Sequence, residues 1–210
     1  MVDNIERDSM DQADSRKILL EYFQQSFGVD FELNRLWLER LVEAYDGPHL
    51  LNPGDLLWDM GDTRNDYYFI LEGLVSEYWI NDFGESFIYA FIGSQEFCVN
   101  EFQMLFGAPS KSRLQVIQPT WVMVLRQEKE SEFRNGNTPW EQLSYEVGKR
   151  ILEKRRERIR WLSGPKGEHL RQVITKYPGL LNHATKEQIA RYLGVSRATA
   201  YRLLTNLARK

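Results

Sequence analysis

The sequence predicts an α+β protein in which an antiparallel β-roll lies between helical segments. Apolar residues recur at helical spacing in 15–45, and short runs rich in aromatic and β-branched residues replace them in 50–125. Helical spacing returns from Pro139 onward. The length of 210 residues suits one large or two small domains. The predicted parts are a roll with N-terminal helices (1–138), a long helix (139–163) and a small all-α domain (164–210).

Two amphipathic helices are predicted near the N-terminus. Their apolar residues recur every three to four positions, and Gly28 and the pair Gly47-Pro48 interrupt the pattern. These apolar residues are Leu19, Tyr22, Phe23 and Phe27 in 15–27, and Leu33, Leu36, Leu38, Leu41 and Val42 in 31–45. Neither helix carries a pattern that indicates chemistry.

The middle of the chain predicts a compact antiparallel roll or sandwich. Short apolar runs are separated there by glycine, asparagine and aspartate, the residues that favour turns. The runs are DYYFIL (66–71), LVSEYWI (74–80), ESFIYAFI (85–92) and TWVMVL (120–125). Gly73 and the stretch 81–84 are predicted to form hairpin turns between strands.

The charge of the chain is divided unevenly. The net charge is −3, but residues 149–210 hold 16 Lys/Arg and 4 Asp/Glu, a net of +12, and residues 1–148 hold 11 and 26, a net of −15. A basic segment on an acidic body indicates a polyanionic partner for that segment. A solvated charged helix is the alternative interpretation of the run KRILEKRRERIR.

Several classes of protein are disfavoured by composition. The single cysteine, Cys98, excludes an internal disulfide or a site built from several cysteines, and we expect it to be a core thiol. The N-terminus is acidic without an apolar run, and no stretch approaches the roughly 20 apolar residues of a membrane span. We therefore expect a cytoplasmic protein. No paired carboxylates, catalytic triad spacing or metal cluster indicates an enzyme.

The segment 185–210 predicts a helix-turn-helix. Thr185 and Ser196 are suitable N-caps for helices over 186–193 and 197–208, because each hydroxyl can accept a bond from a free backbone N–H. Small Ala190 falls where the two helices cross, and Gly194 falls where the turn needs a left-handed residue. The predicted apolar positions are Ile189, Leu193, Val195, Ala200 and Leu203. A plain helical hairpin inside a larger domain is the alternative.

The roll and this motif together resemble a known family. Pro53-Gly54-Asp55, Gly61, the stretch 68–75 and Gly84-Glu85 resemble the cyclic-nucleotide-binding β-roll, a double-stranded β-helix. With the C-terminal helix-turn-helix, residues 15–208 resemble the Crp/Fnr family of bacterial transcription regulators. The resemblance implies sequence-specific DNA binding, a homodimer, an effector domain in the roll and RNA polymerase as a partner.

The long helix has an apolar stripe that two arrangements could explain. Its residues recur at near-heptad spacing and are Trp140, Leu143, Val147, Ile151, Ile159 and Leu162. The helix could lie on its own roll. The resemblance instead implies that it pairs with its twin across a two-fold axis, followed by a hinge at 163–167.

The effector site departs from that of family members that bind cyclic AMP. Those members carry a Gly-Glu pair and an Arg-Ser/Thr-Ala trio, neither of which stands in this sequence. The candidate ligand residues are Asn100, Glu101, Ser110, Lys111 and Arg113. Lys111 and Arg113 could meet a phosphate of a cyclic nucleotide, or they could be ordinary surface charges. Iron–sulfur and haem sensing are disfavoured, since one cysteine is present and His49 is the sole histidine before residue 169.

The resemblance also selects the residues expected to meet DNA. They are Thr185, Lys186, Ser196, Arg197, Thr199, Tyr201 and Arg202, with the two arginines as candidates for base or phosphate contacts. Ala198 stands where the family often has glutamate, so a different half-site is expected. The sequence stops where many relatives continue into a β-hairpin wing, which predicts fewer phosphate contacts. His169 and His183 are expected to be solvated near this surface. A sensor that does not act through specific DNA binding is the alternative function.

Overall fold

The computed structural model describes residues 10–27, 31–64, 66–81, 83–134 and 138–208. Among these residues the chain forms helices at both ends and an antiparallel sheet between them, which confirms the predicted α+β class. The helices are α1 (Gln12–Phe27), α2 (Phe31–Ala44), α3 (Glu101–Phe106), α4 (Gln127–Arg134), α5 (Thr138–Ser163), α6 (Lys166–Lys176), α7 (Leu180–His183), α8 (Lys186–Leu193) and α9 (Arg197–Ala208). The strands are β1 (Asp46–Leu51), β2 (Leu56–Trp58), β3 (Tyr67–Ile80), β4 (Ser86–Gly93), β5 (Glu96–Cys98) and β6 (Ser112–Leu125). The predicted break at Gly28 and the side chain of Phe27 fall outside the described residues.

Two long strands organise the roll. Strands β3 and β6 pair antiparallel from Tyr67↔Leu125 to Trp79↔Ser112, with β1 and β2 on β6 and β4 and β5 on β3. Their register shifts near Gly73, where an extra residue bends the strand. The sequence-based prediction of a hairpin turn at Gly73 is therefore wrong, because Gly73 lies inside one continuous strand. The predicted turn between β3 and β4 is confirmed by a bond from the Gly84 N–H to the Asn81 carbonyl of 2.9 Å, with Asp82 outside the described residues.

The N-terminal helices cover one side of the roll. Phe23 of α1 and Leu41 of α2 pack in one buried cluster with Phe69 and Met123 of the two long strands. A second cluster fills the roll interior and contains Cys98, so the prediction of a buried thiol is confirmed. Two of the predicted apolar positions of α2 do not join the core, since Leu33 and Leu36 are 85% and 78% exposed.

Helix α5 presents two apolar stripes on different faces. Trp140 and Leu143 are buried against the roll of the same chain, and Val147 packs against that cluster. Ile159 is 65% exposed and lies on a second stripe at seven-residue spacing. The exposed apolar residues of this second stripe are Tyr145, Leu152, Ile159 and Leu162. The single stripe predicted from the sequence is therefore wrong, because it combined residues of two faces.

The C-terminal helices share a hydrophobic cluster with the roll. Leu170 of α6 and Leu193 of α8 pack there with Ile88 and Phe91 of β4. Polar bonds reinforce this contact: the Tyr177 hydroxyl donates to the Phe91 carbonyl at 2.8 Å, and further bonds link α8 to the roll. This packing fixes how the helix-turn-helix is presented.

Candidate nucleic-acid interface and effector cavity

Local sequence signals set the geometry of the helix-turn-helix. The Thr185 hydroxyl accepts from the Gln188 backbone N–H at 3.1 Å, and the Gln188 side chain accepts from the Thr185 N–H at 2.7 Å. This reciprocal pair is a capping box and fixes the start of α8. Helix α8 ends at Gly194, whose φ of 64° is left-handed. Both predicted boundary residues are confirmed.

The two helices cross where the small residues were predicted. Ile189, Ala190, Leu193 and Ala200 are all at most 3% exposed. The remaining predicted apolar positions, Val195 and Leu203, are partly buried beside the same cluster. Small Ala190 and Ala200 let the helix backbones approach closely, so the orientation of α9 follows from this contact.

Helix α9 presents an exposed polar and basic surface. Ser196 caps the helix by accepting from the Thr199 N–H at 3.2 Å, and Arg202 donates to the Thr199 hydroxyl at 3.3 Å. Arg197, Tyr201 and Arg202 are exposed. Among the described residues, neither arginine has a carboxylate at ion-pair distance, so both guanidinium groups are available to a ligand.

The start of α8 adjoins this surface. The Lys186 ammonium lies 4.6 Å from the centre of the Tyr201 ring, and Thr185 and Lys186 are both exposed. The structure therefore brings the predicted contact residues of α8 beside those of α9. Cations here and on α9 form one surface that suits a polyanion.

The basic run of α5 contributes less to that surface than the sequence suggested. Arg155 pairs with Glu101, and Lys154 lies 3.2 Å from Glu96. Arg158 is 6% exposed and donates to the backbone carbonyls of Ile88 and Tyr192. These three basic residues of α5 therefore pack against other parts of the chain and are not part of the exposed basic surface.

Two histidines near the motif differ in environment. His183 is exposed, as expected, but His169 is 2% exposed and the expectation that it is solvated is wrong. Its ring packs 4.9 Å from that of Trp161 and 5.0 Å from that of Tyr192. Burial, and then the positive charge of Arg158, lower the pKa of His169 to about 4, so the ring is neutral at pH 7.

A cavity of about 540 Å³ lies between the roll and α5. Strands β2 to β5, helix α3 and helix α5 all contribute to its walls. Its charged side chains are Glu77, Glu96, Glu101, Glu153, Glu157, Arg150, Lys154 and Arg160. Burial raises the pKa of Glu77 to about 6. The sequence analysis did not select Glu77, although a glutamate inside the apolar strand LVSEYWI was an available signal.

Of the five predicted ligand residues, Glu101 is the one that lines this cavity among the described residues. Asn100 caps α3 by accepting from the Gln103 N–H at 3.4 Å, and the Ser110 hydroxyl donates to the Ser112 carbonyl at 2.9 Å. Arg113 forms two bonds of 2.8 Å with Asp59. The Lys111 ammonium lies 5.2 Å from the centre of the Phe102 ring. Four of the five therefore have contacts outside the described lining of this cavity.

Solved structures share this architecture. FixK2 from Bradyrhizobium japonicum superimposes with a TM-score of 0.62 at 16% identity, covering 77% of this chain and 83% of its own. A putative Crp/Fnr-family regulator from Eubacterium rectale gives 0.63 at 12% identity, covering 88% of each chain. The chain has the Crp/Fnr fold. The c-di-GMP responsive regulator CLP from Xanthomonas campestris also shares it, with a TM-score of 0.60 at 16% identity over 82% of this chain and 90% of its own.

No family model and no curated protein matches the sequence, so the likeness to the Crp/Fnr fold rests on the structure alone. Two further properties accompany the fold. No described helix has the length and apolar character needed to span a bilayer. The described residues contain no group of three or more potential metal ligands.

Proposed function

We propose that the chain is a sequence-specific DNA-binding transcription regulator of the Crp/Fnr type that acts as a homodimer. The observation that carries the proposal is the exposed surface of α9 in the helix-turn-helix, where neither Arg197 nor Arg202 forms an ion pair with any described carboxylate. A helix presented in this way fits the major groove of B-DNA. Such a protein works in the cytoplasm with the DNA and communicates with RNA polymerase.

The residues of the motif have distinct proposed roles. Arg197 and Arg202 bond base edges or phosphates, because a guanidinium can bind guanine through two parallel bonds. Thr185, Lys186, Ser196, Thr199 and Tyr201 hold the sugar-phosphate backbone and fix the orientation of α9. Ala198 offers only a methyl group to the DNA, so the base pair that it faces in the proposed complex is read by apolar contact.

The second stripe of α5 supports the homodimer. Tyr145, Leu152 and Ile159 are separated by seven residues, and each is at least 50% exposed in the single chain. This spacing is that of one position in a two-stranded coiled coil. Pairing two copies of α5 along this stripe would bury it and set two α9 helices about 34 Å apart, one turn of B-DNA.

The double variant Arg197→Ala, Arg202→Ala tests the proposal. DNA that the full chain selects from a random pool is labelled, and binding is measured by fluorescence anisotropy over a range of salt concentrations. We expect specific affinity to fall about 100-fold or more, because each base contact contributes roughly 1–3 kcal/mol.

Arg171→Ala is the matched control, since this exposed arginine of α6 pairs with Glu168 at 2.9 Å and lies outside the motif. We expect it to bind DNA as the unchanged chain does. Normal DNA binding by the double variant would refute the assignment of α9. An unchanged chain that selects no sequence at all would favour the alternative of a sensor acting without specific DNA binding.

A further inference from the structure

We infer that the cavity between the roll and α5 binds a small organic cation with an apolar body, such as an aromatic amine. This inference goes beyond the proposed DNA binding and does not depend on it. It also differs from binding of a cyclic nucleotide, which would bring a negative charge to the same place. The cavity has the size of a small-molecule site, two acidic side chains and aromatic walls.

The cavity has the size of a small-molecule site. Its volume of about 540 Å³ lies within the roughly 300–1,000 Å³ typical of such sites. Apolar side chains line it from both sides: Ile92 and Val99 from the roll, and Val147 and Ile151 from α5. An apolar ligand body would therefore find apolar contacts on both sides.

An unsatisfied carboxylate oxygen lies in the wall of the cavity. Glu101 is 8% exposed, and one of its oxygens pairs with Arg155. The other oxygen, Oε2, is buried and has no hydrogen-bond partner among the described residues. A buried charged acceptor without a donor costs free energy, so a donating cation in the cavity would be stabilised there.

Glu77 adds a second carboxylate next to the first. It accepts a bond of 3.3 Å from the Trp79 indole, and no described lysine or arginine lies at ion-pair distance. Its pKa is raised to about 6, chiefly by burial and also by the negative charge of Glu101, against the opposing effects of hydrogen bonds from Ser112 and Trp79 and of the charge of Arg155. A bound ammonium group would favour the ionised form of Glu77, because opposite charge lowers the pKa of a carboxyl group.

Two of the three basic side chains of the cavity wall have polar partners among the described residues. Arg150 donates to the Ser26 hydroxyl at 2.9 Å and stacks 4.8 Å from the centre of the Tyr22 ring. Lys154 pairs with Glu96, and Arg160 is exposed. A phosphate entering the cavity would meet the carboxylates of Glu77 and Glu101, which repel it.

Aromatic rings complete the environment that an organic cation prefers. Trp58 and Tyr89 both line the cavity. Burial raises the pKa of Tyr89 to about 12, so its phenol remains neutral. Aromatic faces attract ammonium groups, and the combination of aromatic walls with carboxylates is characteristic of sites for amines.

The test is isothermal titration calorimetry on the full chain at neutral pH without DNA. The probes are 2-phenylethylamine, 3-phenylpropanoate, which carries a carboxylate in place of the amine, and cyclic AMP. We expect saturable binding of the amine at millimolar concentration or below and no binding of either anion. Absence of amine binding, or binding of an anion as tight as that of the amine, would overturn the inference.

Substitutions of Glu77 and Glu101 test whether their carboxylates bind the amine. Glu77→Gln and Glu101→Gln should each weaken amine binding about tenfold or more, because each removes a charge that the ligand contacts. Glu141→Gln is the matched control, an exposed glutamate in the first turn of α5 outside the cavity. Circular dichroism verifies the fold of every variant. Unchanged amine affinity in folded Glu77→Gln and Glu101→Gln variants would contradict the site, and the result leaves the DNA proposal untouched because no DNA is present.

Discussion

Replacing Ile159 with aspartate should dissociate the proposed homodimer. Ile159 is 65% exposed in the single chain, which corresponds to roughly 90 Å² of side-chain surface. Two copies facing each other would bury about 180 Å² and contribute about 4.5 kcal/mol at about 25 cal/mol per Å². Loss of this contribution alone raises the dissociation constant about 1,000-fold, and two opposed carboxylates add repulsion.

Sedimentation-equilibrium centrifugation measures this change directly. The unchanged chain should be dimeric at micromolar concentration, and Ile159→Asp should be monomeric with unchanged helical content. Leu181→Asp is the control, because Leu181 is 43% exposed on α7 and the same chemical change is made away from the stripe. A monomeric unchanged chain, or a variant that dimerises normally, would refute the assignment of the stripe.

Three further predictions concern stability. Gly73→Ala should lower the free energy of unfolding, measured by urea denaturation, by more than about 3 kcal/mol. The reason is that Gly73 has a φ of 130° and that an added Cβ would lie 2.3 Å from Thr120 Oγ1. An unchanged midpoint of the urea transition would contradict this close approach. Thr185→Ala should lower the melting temperature through the loss of about 1 kcal/mol of capping, and the substitution Thr185→Ser should restore most of it. The chain should lose stability as pH falls from about 6.5 toward 4, because the unfolded His169 takes up a proton at its ordinary pKa while burial and Arg158 hold the folded pKa near 4. His169→Gln should remove about 2 kcal/mol of this dependence after allowance for solvent screening, and identical pH profiles would show that His169 does not cause it.

The helix-turn-helix could be predicted from the sequence because its signals are local. Thr185 and Gly194 each act within one turn of their own position, through a cap and a left-handed backbone, and Ala190 packs where α8 crosses the next helix along the chain. The alternation of short apolar runs with turn-forming residues likewise indicated an antiparallel roll. These features need no knowledge of distant contacts.

Distant contacts decide the parts of the structure that the sequence did not predict. Gly73 was predicted as a turn, but its neighbour Thr120 lies across the sheet and requires the glycine inside a strand. Helical periodicity located apolar residues in α5 but could not separate those that face the roll from those of the exposed stripe. The expectation that His169 is solvated was wrong because Arg158, Trp161 and Tyr192 pack against it from other elements, and these contacts cannot be read from the sequence around His169.

The candidate effector site shows the same limitation. The five ligand residues were selected by position relative to a family cassette, and four of them form bonds or contacts elsewhere. Glu77 lies on β3 and Glu101 begins α3, so their proximity arises only when the roll folds. No pattern along the chain expresses that proximity.

The central claim is that two copies of α9 read DNA together, and selection of binding sites from a random DNA pool tests it most directly. The account predicts that the full chain enriches an inverted repeat whose half-sites lie about 34 Å apart, with two protomers bound to each site. Enrichment of a single half-site bound by one protomer, or the absence of any enriched sequence, would contradict it.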